Sequence, residues 1–283
     1  MMKKETLSQL KGLAAEIRTE SIEAIRKVGS GHIGGSLSIV ELLAVLYGKQ
    51  MTYDPRNPEW EDRDRLVLSK GHAGPAWYSA LAAVGFFDKA WLGTLNEGGT
   101  RLPSHPDRTK TPGVDATTGS LGQGTSVAAG IATGLRMQNK DSYVYLIVGD
   151  GELNEGQCWE AFQYLAHFKL NHCILIIDEN KKQLDGTTKE ILNPFDLVEK
   201  MRAFGFATVK VKGDDLEAID QAIEQCKAVN DQAVCIVLDS IKGQGVTFFE
   251  EMEANHSVKF NSPEVQEETD KALAELRTVK GRG

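Results

Sequence analysis

Two short segments carry oxygen ligands suited to gripping a cation. Gly149-Asp150-Gly151 opens the run GlyAspGlyGluLeuAsnGluGly (149–156), and Asn180 lies 30 positions beyond Asp150. An aspartate between two glycines is a hard-oxygen donor on a turn that lets a ligand approach the backbone closely. Asp, Asn and a backbone carbonyl are the donors that Mg2+ or Ca2+ accepts when it also bridges a diphosphate. A helix starting just after the turn adds free N–H groups and a positive dipole end for an anion. Histidine is the second chemical resource. Of the six in the chain, His32, His72, His105 and His256 fall in loop or Gly/Pro-rich segments. His167 and His172 flank a helix end beside Lys169 and read as surface residues. Imidazoles titrate in the range needed to take up and give back a proton near neutral pH.

Elements of a definite kind must position these groups. Apolar residues at helical spacing (Leu10, Leu13, Ala14, Ile17, Ile22, Ile25, Val28) predict a helix over about 6–28, ended by glycines at 29, 31, 34 and 35. A second helix is expected over about 38–49. Short apolar runs at 65–69, 143–148, 173–178, 206–211 and 233–238 read as buried strands. Helical stretches at about 75–84, 123–138, 155–168, 195–203 and 215–228 separate them, and 96–124 is a long loop rich in Gly, Pro and Thr. Continuous apolar strands alternating with helices imply an α/β fold, a doubly wound, mostly parallel sheet with helices on both faces. Ligands of such sheets bind beyond the carboxyl ends of the strands, so adjacent strand ends bring Asp150 and Asn180 together. One domain is expected over 1–283, with a charged, loosely docked helical extension over about 262–283.

GlyAspGly followed by Asn after a buried strand is similar to the thiamine diphosphate motif in spacing, residue type and strand context together. The surrounding blocks resemble transketolase. They are SerGlyHisIleGlyGlySer (30–36), LeuSerLysGlyHisAla (68–73), ProSerHisPro (103–106), ThrGlySerLeuGlyGlnGly (118–124), GlyAspGlyGluLeuAsnGluGlyGlnCysTrpGluAla from 149, AspGluAsnLysLysGlnLeuAspGly from 178, and LysGlyGlnGly (242–245) followed by His256. They run in the family's order and span nearly the whole chain. The resemblance implies thiamine diphosphate as cofactor, with Mg2+ (or Ca2+ or Mn2+) held by Asp150, Asn180 and the backbone carbonyl of Lys182. It implies cofactor contacts at Gly149, Gly151 and Glu152, and at Gly119 and Leu121 toward the aminopyrimidine end. His32 and His256 are implied in proton transfer and oxyanion contacts, His105 in contact with the two-carbon donor, and His72 in contact with the cofactor. Glu155 matches a carboxylate at a subunit contact, in a proton relay between paired sites.

The implied activity is transfer of a two-carbon ketol unit from a ketose to an aldose, with sugar phosphates as substrates. Full-length relatives are more than twice as long, because a second domain holds the aminopyrimidine and supplies its glutamate. A partner chain carrying that domain is therefore expected, two copies of each. The alternatives are a non-catalytic cofactor-binding subunit, or a catalytic relative such as a transketolase for unusual or sulfo-sugars or a deoxyxylulose-phosphate synthase-like enzyme. A net charge of −8 argues against nucleic acid or an anionic membrane as partner. No apolar run reaches the roughly 18 residues of a membrane span. The amino-terminal stretch lacks the apolar core of a signal peptide, so a cytoplasmic location is expected. Cys158, Cys173, Cys226 and Cys235 form no CxxC pair and read as buried thiols.

Overall fold

A computed structural model describes residues 2–280. Its centre is a five-stranded parallel sheet built from Arg65–Leu68, Val144–Gly149, Cys173–Glu179, Phe206–Lys212 and Ala233–Asp239. Ser30–Gly31 forms a short strand before them and Val258–Lys259 one after them, so the seven are β1 to β7 in chain order. The sheet order is β2-β3-β4-β6-β5. Period-two alternation divides its side chains between two faces. Ile174 and Ile176 of β4 join Tyr145, Ile147, Val234 and Ile236 in one core. Cys173, Leu175 and Ile177 join Leu146, Val148, Cys235 and Val237 in the other.

Helices cover both faces, as the strand composition requires. On the first face lie Lys4–Val28 (α1), Ile33–Leu37 (α2), Val40–Val45 (α3), Gly74–Ala83 (α4) and Leu216–Lys227 (α9). On the second lie Gln123–Met137 (α5), Gly156–His167 (α6) and Leu197–Ala203 (α8). Thr188–Leu192 (α7), Thr247–Glu251 (α10) and Pro263–Lys280 (α11) complete the helices. The helix expected over about 38–49 is interrupted. Its second half, Leu46–Gln50, is a π-turn in which the Met51 N–H reaches the Leu46 carbonyl. The loose docking expected for the carboxyl-terminal helix is corrected. Leu273 and Ala272 are buried in the first core beside α1, and Arg26–Asp270 and Arg277–Glu23 ion pairs flank the contact. Residues 281–283 of that extension lie outside the described residues. All four cysteines are buried free thiols. Among the described residues no helix is long and apolar enough to cross a membrane.

What matters for the site is the carboxyl edge of the sheet. Gly149 pairs with Asp178 in register, so the residues after β3 and β4 emerge side by side. A second, two-stranded layer, β1 against β7, aligns Ser30 with Lys259. The Gly34 N–H donates to the Asn255 carbonyl (3.0 Å), and the Gly243 N–H donates to that of Gly34 (3.0 Å). These bonds tie the loops of His32, His256 and Lys242 into one wall.

Candidate active site

Four neighbouring strands each deliver one loop to a cavity of about 270 Å3. His72 follows β2, Asp150 follows β3, Asn180 and Lys182 follow β4, and Lys242 follows β6. His32 follows β1 and His256 precedes β7, while His105, Gly119 and Leu121 come from the long loop before α5. The cavity therefore gathers Gly149, Gly151, Glu152 and every other residue expected from the sequence except Glu155. Glu155 is exposed at the N-cap of α6, with no side-chain cap bond, and it does not line the cavity.

Asp150 is buried, and each of its oxygens accepts one backbone N–H: Oδ1 from Gly151 (2.8 Å) and Oδ2 from Lys181 (2.6 Å). The second bond crosses from the β3 loop to the β4 loop and fixes their separation. Burial, with Asp178 nearby, pushes the Asp150 carboxyl up to about 7. A buried carboxylate so disfavoured as an anion is relieved by a cation. Asn180 donates its Nδ2 to Asp178 (2.8 Å) and turns Oδ1 toward the Lys182 N–H (3.2 Å). The carbonyl of Lys182 already faces a positive charge, the Lys242 ammonium at 3.2 Å. Among the described residues no three His, Cys, Asp or Glu side chains converge on one metal position. Asp150, Asn180 and a carbonyl thus suit a hard cation whose remaining ligands arrive with a phosphate-bearing molecule, and the donor set fits that use. Gly151 is required by close packing: a Cβ there would lie 2.8 Å from Cβ of Gln183.

Glu152 lines the cavity and also braces its loops. Its carboxylate accepts from the Ser69 hydroxyl, the Gly122 N–H (2.8 Å) and the Gly149 N–H (3.1 Å). It braces the 118–124 loop against the β3 loop, and its oxygens are occupied by protein donors. On that loop Gly119 adopts φ +147, and a Cβ there would meet the ring of His105 at 3.1 Å.

The four histidines form one cluster. His32 is the hub, with ring centroids 5.4 Å from His72, 5.9 Å from His105 and 5.2 Å from His256. His72 and His256 are 5.1 Å apart. Burial and neighbouring positive charge hold His256 down at about 4, the charge being that of Lys242, and burial with Lys70 holds His72 well below its ordinary value. Burial leads in lowering His32 and His105 as well. At neutral pH lowered values leave all four uncharged. Lys242 donates to Nδ1 of His256 (3.1 Å), which leaves the ring proton on Nε2.

Sequence reasoning missed Lys70, Lys242, Gln183 and Leu184, which also line the cavity. Lys70 and Lys242 are 1% and 3% exposed. Burial and the Lys70 charge push Lys242 down to about 8, while Asp150 and Asp178 pull it back up. Both lysines stand in the LysGlyHis and LysGlyGlnGly blocks directly after strand ends, and that position was the available signal. Gln183 Nε2 is buried without a hydrogen-bond partner among the described residues, a polar group left over at the cavity wall.

Comparison with known proteins adds the family. Residues 10–275 match the family described as "Transketolase, thiamine diphosphate binding domain". The chain is 48% identical over 261 residues to the 6-deoxy-6-sulfo-D-fructose transketolase subunit SqwG of Clostridium sp. (strain MSTE9), covering 92% of this chain and 93% of that one. It is 37% identical over 248 residues to one subunit of the apulose-4-phosphate transketolase of Actinobacillus succinogenes, covering 87% and 88%. The crystal structure of transketolase from Campylobacter jejuni superimposes with a TM-score of 0.84 at 30% identity, over 96% of this chain. The chain spans 43% of that longer polypeptide. By sequence and fold alike, this chain belongs to the transketolase family and corresponds to its thiamine diphosphate-binding domain.

Proposed function

We propose that the chain is the diphosphate- and metal-holding subunit of a two-component transketolase, moving a two-carbon ketol unit from a ketose to an aldose. The observation that carries this reading is the cluster of four uncharged imidazoles above Asp150 and Asn180 in one cavity. Thiamine diphosphate, when bound, supplies the electron sink for cleaving the ketose C2–C3 bond. Asp150, Asn180 and the Lys182 carbonyl would hold a divalent cation, with Mg2+ favoured by their hard oxygens. Lys242 would add positive charge for the diphosphate. Replacing it (Lys242→Met) is expected to weaken cofactor uptake roughly 10- to 100-fold, the weight of a charge-assisted hydrogen bond, as read by calorimetry. The imidazole nitrogens of His32 and its neighbours would take the C3 hydroxyl proton and later return a proton to the acceptor oxygen.

The partner is supported by the two relatives of matching length, both named as subunits, and by the longer solved transketolase. It would carry the pyrimidine-binding domain, in an assembly of two copies of each chain acting in the cytoplasm, with exposed Glu155 at a subunit contact. The test is to assay the chain with Mg2+ and thiamine diphosphate, with and without a co-expressed partner. Cofactor uptake without turnover is expected alone, and ketol transfer when both chains are present. Transfer by this polypeptide by itself overturns the proposal.

A second reading concerns the sugar. The relative at 48% identity is named for 6-deoxy-6-sulfo-D-fructose, which favours a ketose carrying sulfonate in place of phosphate. Side-by-side assays with 6-deoxy-6-sulfo-D-fructose and fructose 6-phosphate as donors separate the two.

A further inference from the structure

Asp178 is fully buried at the end of β4, yet it lies outside the set of groups that face the cavity. A carboxylate in that position is costly unless every lone pair is used. Its partners are numerous. Oδ2 accepts from Lys70 Nζ (2.6 Å), Ser38 Oγ (2.8 Å) and Asn180 Nδ2 (2.8 Å), and Oδ1 accepts from Ser240 Oγ. Lys70, itself buried, is anchored further by the Gly35 carbonyl at 2.7 Å. A buried lysine–aspartate pair alone could serve packing. The bond to Asn180 does something more specific. A carboxylate accepts only, so it selects the NH2 end of the Asn180 amide and excludes the flipped orientation. The other end, Oδ1, is thereby fixed toward the Lys182 N–H and the cavity.

We propose that Asp178 is a positioning residue that locks the Asn180 amide with its oxygen toward the cation, and that Lys70 supplies the counter-charge holding Asp178 in place. The chain of contacts runs from α2 and β2 through β4 to the ligand oxygen. It gives Ser38 and Ser240 a task at a cavity that neither of them lines. This rests on Asp150 and Asn180 holding a divalent cation for thiamine diphosphate.

The test is a double-mutant cycle read as the Mg2+ concentration giving half-maximal thiamine diphosphate uptake, measured by calorimetry on the assembled enzyme. Partners that orient a metal ligand typically change affinity by about 10- to 100-fold. Asp178→Asn is expected to raise the half-saturating Mg2+ by that factor, because an amide at 178 accepts or tolerates either end of Asn180. Asn180→Ala is expected to raise it at least as much. The double variant is expected to match Asn180→Ala alone, since Asp178 has nothing left to orient. Independent, multiplying losses signify a merely structural residue and overturn the inference, as does an unchanged Asp178→Asn. Where Asp178→Asn fails to fold, Asn180→Asp carries the test. It adds charge to the ligand but cannot donate to Asp178, so weaker Mg2+ binding is expected and tighter binding overturns the inference. Failure of the underlying reading is separately visible: the unmodified enzyme would then show no Mg2+-linked uptake at all.

Discussion

Asp150→Ala is expected to abolish magnesium-linked uptake of thiamine diphosphate and, with it, turnover of the assembled enzyme. Asp150 is the one anionic donor of its set. Asn180 and the Lys182 carbonyl are neutral, and no three His, Cys, Asp or Glu side chains converge on one metal position among the described residues. Outer partners of a metal ligand are worth about 10- to 100-fold in affinity, so loss of the charged ligand itself should exceed about 100-fold. Calorimetry over a Mg2+ series measures it, and undiminished uptake refutes the assignment. Stability of the cofactor-free chain shows whether the variant has simply misfolded. Burial raises the Asp150 carboxyl from 3.8 to about 7 in the folded chain. A folded value above the unfolded one stabilises the fold below the unfolded value and loses that contribution as pH rises through about 7. The cofactor-free parent should therefore gain stability relative to Asp150→Ala as pH falls from about 8 to about 6. Thermal melts at the two pH values check that sign.

The closeness of Asp150 and Asn180 was legible in the sequence because it is set by parallel pairing, which the apolar strand runs already announce. Once β3 and β4 are adjacent and Gly149 faces Asp178, a donor one residue past one strand must meet donors just past the other. The four loop histidines were legible for a different reason: only a resemblance to a family gave them a common destination. No periodicity predicts that His32 sits 5.2 to 5.9 Å from three other rings. The lysines were hidden because a loop lysine is ordinarily solvated. Their burial depends on Asp178 and on backbone carbonyls supplied by distant segments, such as Gly35 for Lys70 and Lys182 and Gln183 for Lys242. Asp178 itself read as the polar end of a strand. The docking of α11 was illegible for a related reason. The apolar residues that it brings to the core are sparse, Val265, Ala272, Leu273 and Leu276, and their value emerges only when α1 offers a complementary surface. The pairing of β1 with β7 involves two residues in each strand, too few for any alternation to register.

His32→Ala is expected to separate binding from chemistry. His32 is the ring that neighbours the other three, so it is best placed to pass a proton among them. A positioned proton acceptor contributes about 10^2- to 10^4-fold to rate, and turnover of the assembled enzyme should fall by that order. Mg2+-linked cofactor uptake should persist, because the donor set of Asp150, Asn180 and the Lys182 carbonyl is held by bonds that do not involve this ring. The pH profile of the unmodified enzyme follows from the same cluster. An imidazole that accepts a proton must be neutral, and burial lowers all four, His256 to about 4 with the help of Lys242. Lowered values extend the neutral form to more acid pH, so kcat/KM should stay level down through about 6.5, the ordinary imidazole value, and decline only below it. An acid limb centred above that value contradicts neutral imidazoles as the acceptors. Undiminished turnover in His32→Ala removes the hub from the proton path and leaves His72 and His256, 5.1 Å apart, as the pair able to carry it.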